Sequence, residues 1–185
     1  GIKSGIISAG DITDATPAAF YAHQIDRTMS EEIAADFKNS HVDILVGSRR
    51  ESFVKNKDNT LMQQLTEKGY QLQQNLDDFE KATSGKQLVL LAESATRRVL
   101  DGRGEMLKTS LSKTIELLSK NDKGFFIMAE GAQIDYGAHA NDLPYVVTEQ
   151  HDFDRLVGEA LKFADQDGET LVTVTADHET GGLSL

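Results

Sequence analysis

The chain has no cysteine and no tryptophan, only two prolines, and few aromatic residues of any kind. Without cysteine there are no disulfides and no thiolate metal sites, so any zinc must be held by His and carboxylate. Positive charge is scarce: 19 Lys and Arg stand against 30 Asp and Glu, a formal net charge of −11. That balance argues against nucleic acid as a partner, because a phosphate backbone is gripped by clustered cations. It would also repel a small phosphate ester unless bound cations or a well-placed Arg reversed the field locally. The plain account of the acidity is solubility. Apolar runs are short, and no membrane-spanning segment is present in the sequence. There is no signal peptide either; the chain opens on Gly1 and enters an apolar stretch at residues 2–9, so it reads as the interior of a longer protein.

What is present is alternation. At 185 residues the chain is long enough for one sizeable core and is read as a single domain over 1–185. Short apolar runs rich in β-branched residues predict strands at 5–9, 42–46, 87–91, 124–129 and 171–175. The fourth is continuously apolar, as a strand covered on both faces should be. Thr16-Pro17 predicts a helix start, with Thr as the cap and Pro in the first turn. Ser30-Glu31-Glu32 predicts another, with acidic side chains at its positive end. Leu107, Leu111, Ile115 and Leu118 mark one face of a third helix. A long later helix is expected to bury Val146, Phe153, Val157, Ala160, Leu161 and Ala164. The pattern is that of an α/β fold, a mainly parallel sheet flanked by helices. Residues 51–104 are more polar and less regular, an inserted or loop-rich segment in which 55–59 reads as an exposed loop.

Three predicted strands end alike, with polar ligand-type residues a few positions on. Asp11, Asp14 and Thr16 follow the first; Glu130, Asp135 and His139 follow the fourth; Asp177 and His178 follow the last. In an open parallel sheet, ligands bind in the crevice beyond the carboxyl ends of the strands, so these groups would converge. Each group alone has a plainer explanation. Asp14 and Thr16 could simply begin a helix, and Asp135 with His139, at i and i+4, could be an ordinary helical pair. Together they offer carboxylates, two imidazoles and a hydroxyl. Zn²⁺ takes imidazole with carboxylate and Mg²⁺ takes oxygen alone, so the mixture suits a site holding both.

Three segments carry a family resemblance. Asp14-Ala15-Thr16-Pro17-Ala18-Ala19 with His23 and Arg27, then Glu130-Gly131-Ala132-Gln133-Ile134-Asp135 with His139, then Thr175-Ala176-Asp177-His178-Glu179-Thr180-Gly181-Gly182 resemble, in this order, the motifs of alkaline phosphatases. The resemblance implies an alkaline-phosphatase-like fold with two Zn²⁺ and one Mg²⁺. It places Thr16 and Glu130 on Mg²⁺ with Asp14 beside it, Asp135 and His139 on one Zn²⁺, and Asp177 and His178 on the other. Arg27 would clamp the phosphate with its planar fork. The implied reaction is hydrolysis of phosphate monoesters through a phosphoserine, with inorganic phosphate released. The attacking serine is expected upstream of Gly1 and a further histidine beyond Leu185, so the 185 residues alone are expected to have negligible activity and weak metal affinity. A periplasmic or extracellular location follows from the resemblance, and a homodimer is compatible with it.

Two positions depart from the family pattern. Tyr136 stands where relatives carry Lys or His, and a phenol can donate only one hydrogen bond. Gly47-Ser48-Arg49 stands where a glycine-richer turn is usual. His23, His41 and His151 have no motif support as ligands, and neither Ser8 nor Ser94 lies in a nucleophile turn. The alternatives are a phosphodiesterase or sulfatase relative with the same metal arrangement, or a noncatalytic metal-binding scaffold domain.

Overall fold

β1 (Lys3–Asp11) is buried along residues 5–10 and pairs in parallel with β2 (Ile44–Ser48) on one side and β5 (Phe125–Glu130) on the other. β2 pairs with β4 (Lys86–Leu90), and β4 with β3 (Tyr70–Gln73), so the sheet runs β3-β4-β2-β1-β5 with every pairing parallel. These relations come from a computed structural model, which describes residues 1–55 and 60–181. Successive side chains of a strand point to opposite faces, and both faces here are apolar. Ile6, Leu45 and Leu88 join one core with Phe37 and with Phe53, Leu61 and Leu65 from α3 (Arg50–Val54) and α4 (Leu61–Glu67). Ile7, Val46 and Val89 join the other, with Phe79 from α5 (Leu76–Glu80) and Leu107 and Leu111 from α6 (Met106–Leu118). The first core also takes Ile33 and Ala34 from α2 (Ser30–Asp36). α7 (Gln133–His139) and α8 (Leu143–Asp167) complete the order after β5.

Several expectations need correction. α1 (Ala15–Ala18) starts two residues earlier than Thr16-Pro17 suggests: Asp14 is the cap, its carboxylate accepting from Ala15 N at 2.8 Å. An Asp in extended backbone outcompetes the later Thr for that role. The predicted strand at 171–175 forms no ladder; Leu171 is exposed and so is Val174. β-branched composition favours a strand only where a neighbour receives its N–H and C=O groups, and among the described residues none does. β5 is correspondingly not covered on both faces, since Phe126 is half exposed at the sheet's edge. On α8, Leu161 is half exposed, and the most buried positions are Tyr145, Glu149, Asp152 and Leu156. Two acidic residues in that stripe hide it from a purely apolar count. Between Glu51 and Gly104 the chain forms α3, α4, β3, α5 and β4. The predicted loop at 55–59 falls, for residues 56–59, outside the described residues.

Candidate functional site

The register of the sheet begins the site. Ser8 on β1 stands opposite Glu130 on β5, and its buried hydroxyl donates to Glu130 Oε2 at 2.7 Å. The same oxygen accepts from Gly10 N at 3.0 Å, so one hydroxyl fixes both the carboxylate and the exit of β1. Beyond that exit Asp11 Oδ1 accepts from Thr13 N and Thr13 Oγ1, each at 2.7 Å, an Asx-turn that leads into α1. This turn leads to Thr16, in the first turn of α1, near enough to Glu130 to affect its titration. Burial raises the Glu130 pKa above its ordinary value; the bonds from Ser8 and Thr16 oppose the rise, and the charges of Asp14 and Asp177 add to it. The Asp11 carboxyl is also pushed up by burial, against its bonds to Thr13 and the nearby Arg49. Crowded, partly desolvated carboxylates of this kind are the setting a cation relieves.

Asp14 sits between two partners. Arg27 Nη2 meets its Oδ1 at 2.5 Å, and the Tyr136 hydroxyl donates to its Oδ2 at 3.4 Å. The bond to Asp14 raises the Arg27 pKa, and burial raises that of the Tyr136 phenol. Arg27 is two-thirds exposed, so its pair with Asp14 adds little to stability and leaves the guanidinium open to an incoming anion.

α7 presents Asp135 and His139 on one face, with His139 Nε2 3.5 Å from Asp135 Oδ2. Asp177 and His178 form a similar pair, Nε2 to Oδ2 at 3.4 Å. Thr180 joins the two: its hydroxyl is bonded to Asp135 Oδ1, and it stands 3.1 Å from His178 Nδ1. Its backbone is left-handed, with φ 51°, which turns N–H and hydroxyl toward the same imidazole. Gly182, the last residue of this motif, lies outside the described residues.

The structure thus brings Thr16 to Glu130, Arg27 to Asp14, and the Asp135–His139 pair to the Asp177–His178 pair. The donor types match the metals the sequence suggests: oxygen alone at Thr16 and Glu130, carboxylate with imidazole at the other two. Each set is a pair, however, and among the described residues no group of three or more His, Asp or Glu could hold a metal. His23, His41 and His151 are exposed.

Four participants were not singled out from the sequence as site residues. Ser8 carried a signal, a hydroxyl in the middle of an apolar strand. Asp11 stood in the first polar cluster but without a role. Thr180 carried none beyond its place in the third motif. Arg49 takes a left-handed φ of 77°, where glycine is usual, and its Nε lies 3.5 Å from Asp11 Oδ2. Its neighbour Gly47 is fixed by space, since a Cβ there would stand 2.2 Å from Ile12 Cγ2. The chain therefore keeps its glycine where β2 packs against the end of β1 and Ile12, and tolerates Arg49 where a carboxylate can hold it.

Comparison with known proteins bears on the family and the fold. The family model described as alkaline phosphatase matches residues 1–185. The chain is 34% identical to alkaline phosphatase 4 of Bacillus subtilis, covering 100% of this chain and 42% of that protein. It is 30% identical to the alkaline phosphatase of Escherichia coli, covering 96% and 49%. The solved alkaline phosphatase of the Antarctic bacterium TAB5 superposes with a TM-score of 0.86 at 40% identity, over 90% of this chain and 50% of that one. A variant of that enzyme, with a TM-score of 0.83 and 38% identity over 90% of this chain and 49% of that one, has Mg bound in its M3 site. The chain spans about half the length of the relatives it matches.

Proposed function

The chain belongs to the alkaline phosphatase family, and on that premise we propose that it forms the metal- and phosphate-binding half of a phosphomonoesterase. The observation that carries this reading is the grouping of Arg27, Asp14, Thr16 and Glu130 at the carboxyl ends of β1 and β5. In this reading Thr16 and Glu130 hold Mg²⁺ with Asp14 beside it, Asp135 and His139 hold one Zn²⁺, and Asp177 and His178 hold the other. Paired cations would supply charge neutralisation at the entering and leaving oxygens of an in-line displacement. The chain's own residues supply the rest. Arg27 exchanges its bond to Asp14 for two parallel bonds to phosphate oxygens, and Asp14 holds the guanidinium in place until then. Ser8, through its hydrogen bond, favours the ionised form of Glu130, while Thr180 keeps the Asp135 and His178 side chains together. In this reading the nucleophile is a serine outside residues 1–185, whose oxygen displaces the alcohol from phosphorus; water then cleaves the phosphoserine, releasing inorganic phosphate and the free serine. The protein acts outside the cytoplasm, and a homodimer is compatible with this reading; no helix among the described residues is long and apolar enough to cross a membrane.

The test is hydrolysis of an aryl phosphate monoester, with the corresponding diester and sulfate as competitors. The complete protein is expected to turn over the monoester in a chelator-sensitive reaction, whereas the 185-residue chain alone is expected to do so negligibly. Arg27→Lys is expected to raise KM for the monoester, because an ammonium cannot reproduce the fork. Preference for the diester or sulfate, or turnover indifferent to chelation, would sink the reading.

A further inference from the structure

Gln133 opens α7, two positions before Asp135 and six before His139. Its side chain is almost wholly buried and touches three other segments. Nε2 lies 2.9 Å from the Ala9 carbonyl, 2.6 Å from Thr96 Oγ1, 3.1 Å from Thr96 O and 3.3 Å from Arg97 O. Oε1 accepts from the Tyr145 hydroxyl at 2.7 Å. An amide has two N–H groups, so the four acceptors leave it no unsatisfied donor and some choice of partner. The Thr96 hydroxyl donates to the same Ala9 carbonyl, closing a partly buried ring of bonds near the end of β1.

Ala9 is where β1 leaves the core toward Asp11, Asp14 and Thr16. The loop bearing Thr96 is held from its far side as well. Val99 N donates to Glu149 Oε1 at 2.8 Å, and Arg103 is bonded to Glu149 and, at 2.9 Å, to Asp152, all three side chains being buried. α7 in turn lies so close to α8 that a Cβ on Gly137 would stand 3.0 Å from Val146 N. An aliphatic side chain could fill the Gln133 site without the cost of desolvating an amide. What an aliphatic side chain could not do is fix the start of α7 against a particular carbonyl of β1.

We propose that Gln133 is a positioning residue of the candidate site: by binding Ala9 and Thr96 it sets where Asp135 and His139 stand relative to Asp14, Thr16 and Glu130. The inference rests on reading α7 as the carrier of metal ligands. Two variants test it in the complete protein. Gln133→Met keeps the volume and removes every bond, and Tyr145→Phe removes only the donor to Oε1. With Co²⁺ as a spectroscopic probe, Gln133→Met is expected to weaken binding about 10–100-fold, the range seen when groups behind metal ligands are lost. Its visible absorption should shift, and kcat should fall with KM little changed. Hydrogen exchange should quicken in α7 and stay as it was in β2 and β4. Tyr145→Phe should move the same readouts less, and it decides the matter if Gln133→Met does not fold. A Gln133→Met protein that keeps the parent's Co²⁺ affinity and spectrum overturns the proposal, whatever its melting temperature. If the parent itself takes up no Co²⁺, the function proposed above fails; α7 exchange then decides on Gln133, and exchange equal to the parent's overturns its role.

Discussion

The two flanks of the sheet are built differently. From β4 to β1 the strands are buried on both faces, and the helices against them supply two separate apolar cores. From β5 outward there is one exposed edge, and the segment after α8 runs without a ladder to the exposed Asp177 and His178. The groups that handle charge lie along the boundary between these flanks and outward from it. Their positions are set by a few buried polar side chains, Ser8 on β1 and Gln133 on α7 above all, because an exposed flank has no packing to do so. Chemistry needs access, and access removes the neighbours that would otherwise define geometry.

Phe37→Ala is the strongest test of that contrast. Phe37 is fully buried, edge-on to Tyr21 with centroids 5.4 Å apart and within 5.1 Å of the Tyr70 ring. Deleting it should cost about 3–5 kcal/mol, the range for aromatic truncation in a packed core. Urea denaturation followed by circular dichroism measures it. A loss below about 1 kcal/mol would mean the closed flank is not packed as described.

Ser8→Ala probes the boundary and should cost less, about 1–3 kcal/mol, since it strands Gly10 N and one Glu130 oxygen. Its sign with pH is specific. Burial raises the Glu130 pKa above 4.5, so ionisation of Glu130 opposes folding, and this penalty grows as pH rises through the folded value. The Ser8 bond lowers that pKa and therefore supports the ionised form. In chelator-treated protein, Ser8→Ala should cost more at neutral pH than in acid below the ordinary carboxylate range, where Glu130 is protonated in either protein. A pH-independent cost would show that Ser8 serves only Gly10.

Much of the closed flank could be read from the sequence, because apolar runs such as those around Ile6 and Leu45 report burial directly. The clusters after β1 and β5 were legible for a second reason: the carboxyl end of a parallel strand is where the fold exposes side chains to a ligand. The run at 171–175 was misread because its composition declares a strand while the ladder that makes one depends on a neighbour. β3 escaped notice because Tyr70-Gln71-Leu72-Gln73 places two amides in a four-residue strand. Gln71 and Gln87 bond to each other across the pairing with β4, so their polarity is satisfied within the sheet. The stripe of α8 was obscured by Glu149 and Asp152, whose burial depends on Arg103 some 46 and 49 positions away. Local pattern cannot report a partner so distant in sequence.

The smallest effect is the one that defines the open flank. Val174 is more than half exposed and its backbone joins no ladder, so Val174→Ala should change stability by no more than about 0.5 kcal/mol. The same substitution in a covered strand removes buried methyl groups and leaves a cavity, which costs several times more. Val46→Ala, in the fully buried β2, supplies that reference in the same protein. Hydrogen exchange sharpens the comparison, because amides at 171–175 should exchange quickly while those at 5–9 are protected. Equal costs at Val174 and Val46, with equal protection, would place 171–175 inside a ladder. Asp177 and His178 would then be fixed by a strand as firmly as Glu130 is, and Thr180 would no longer be needed to hold the two pairs together.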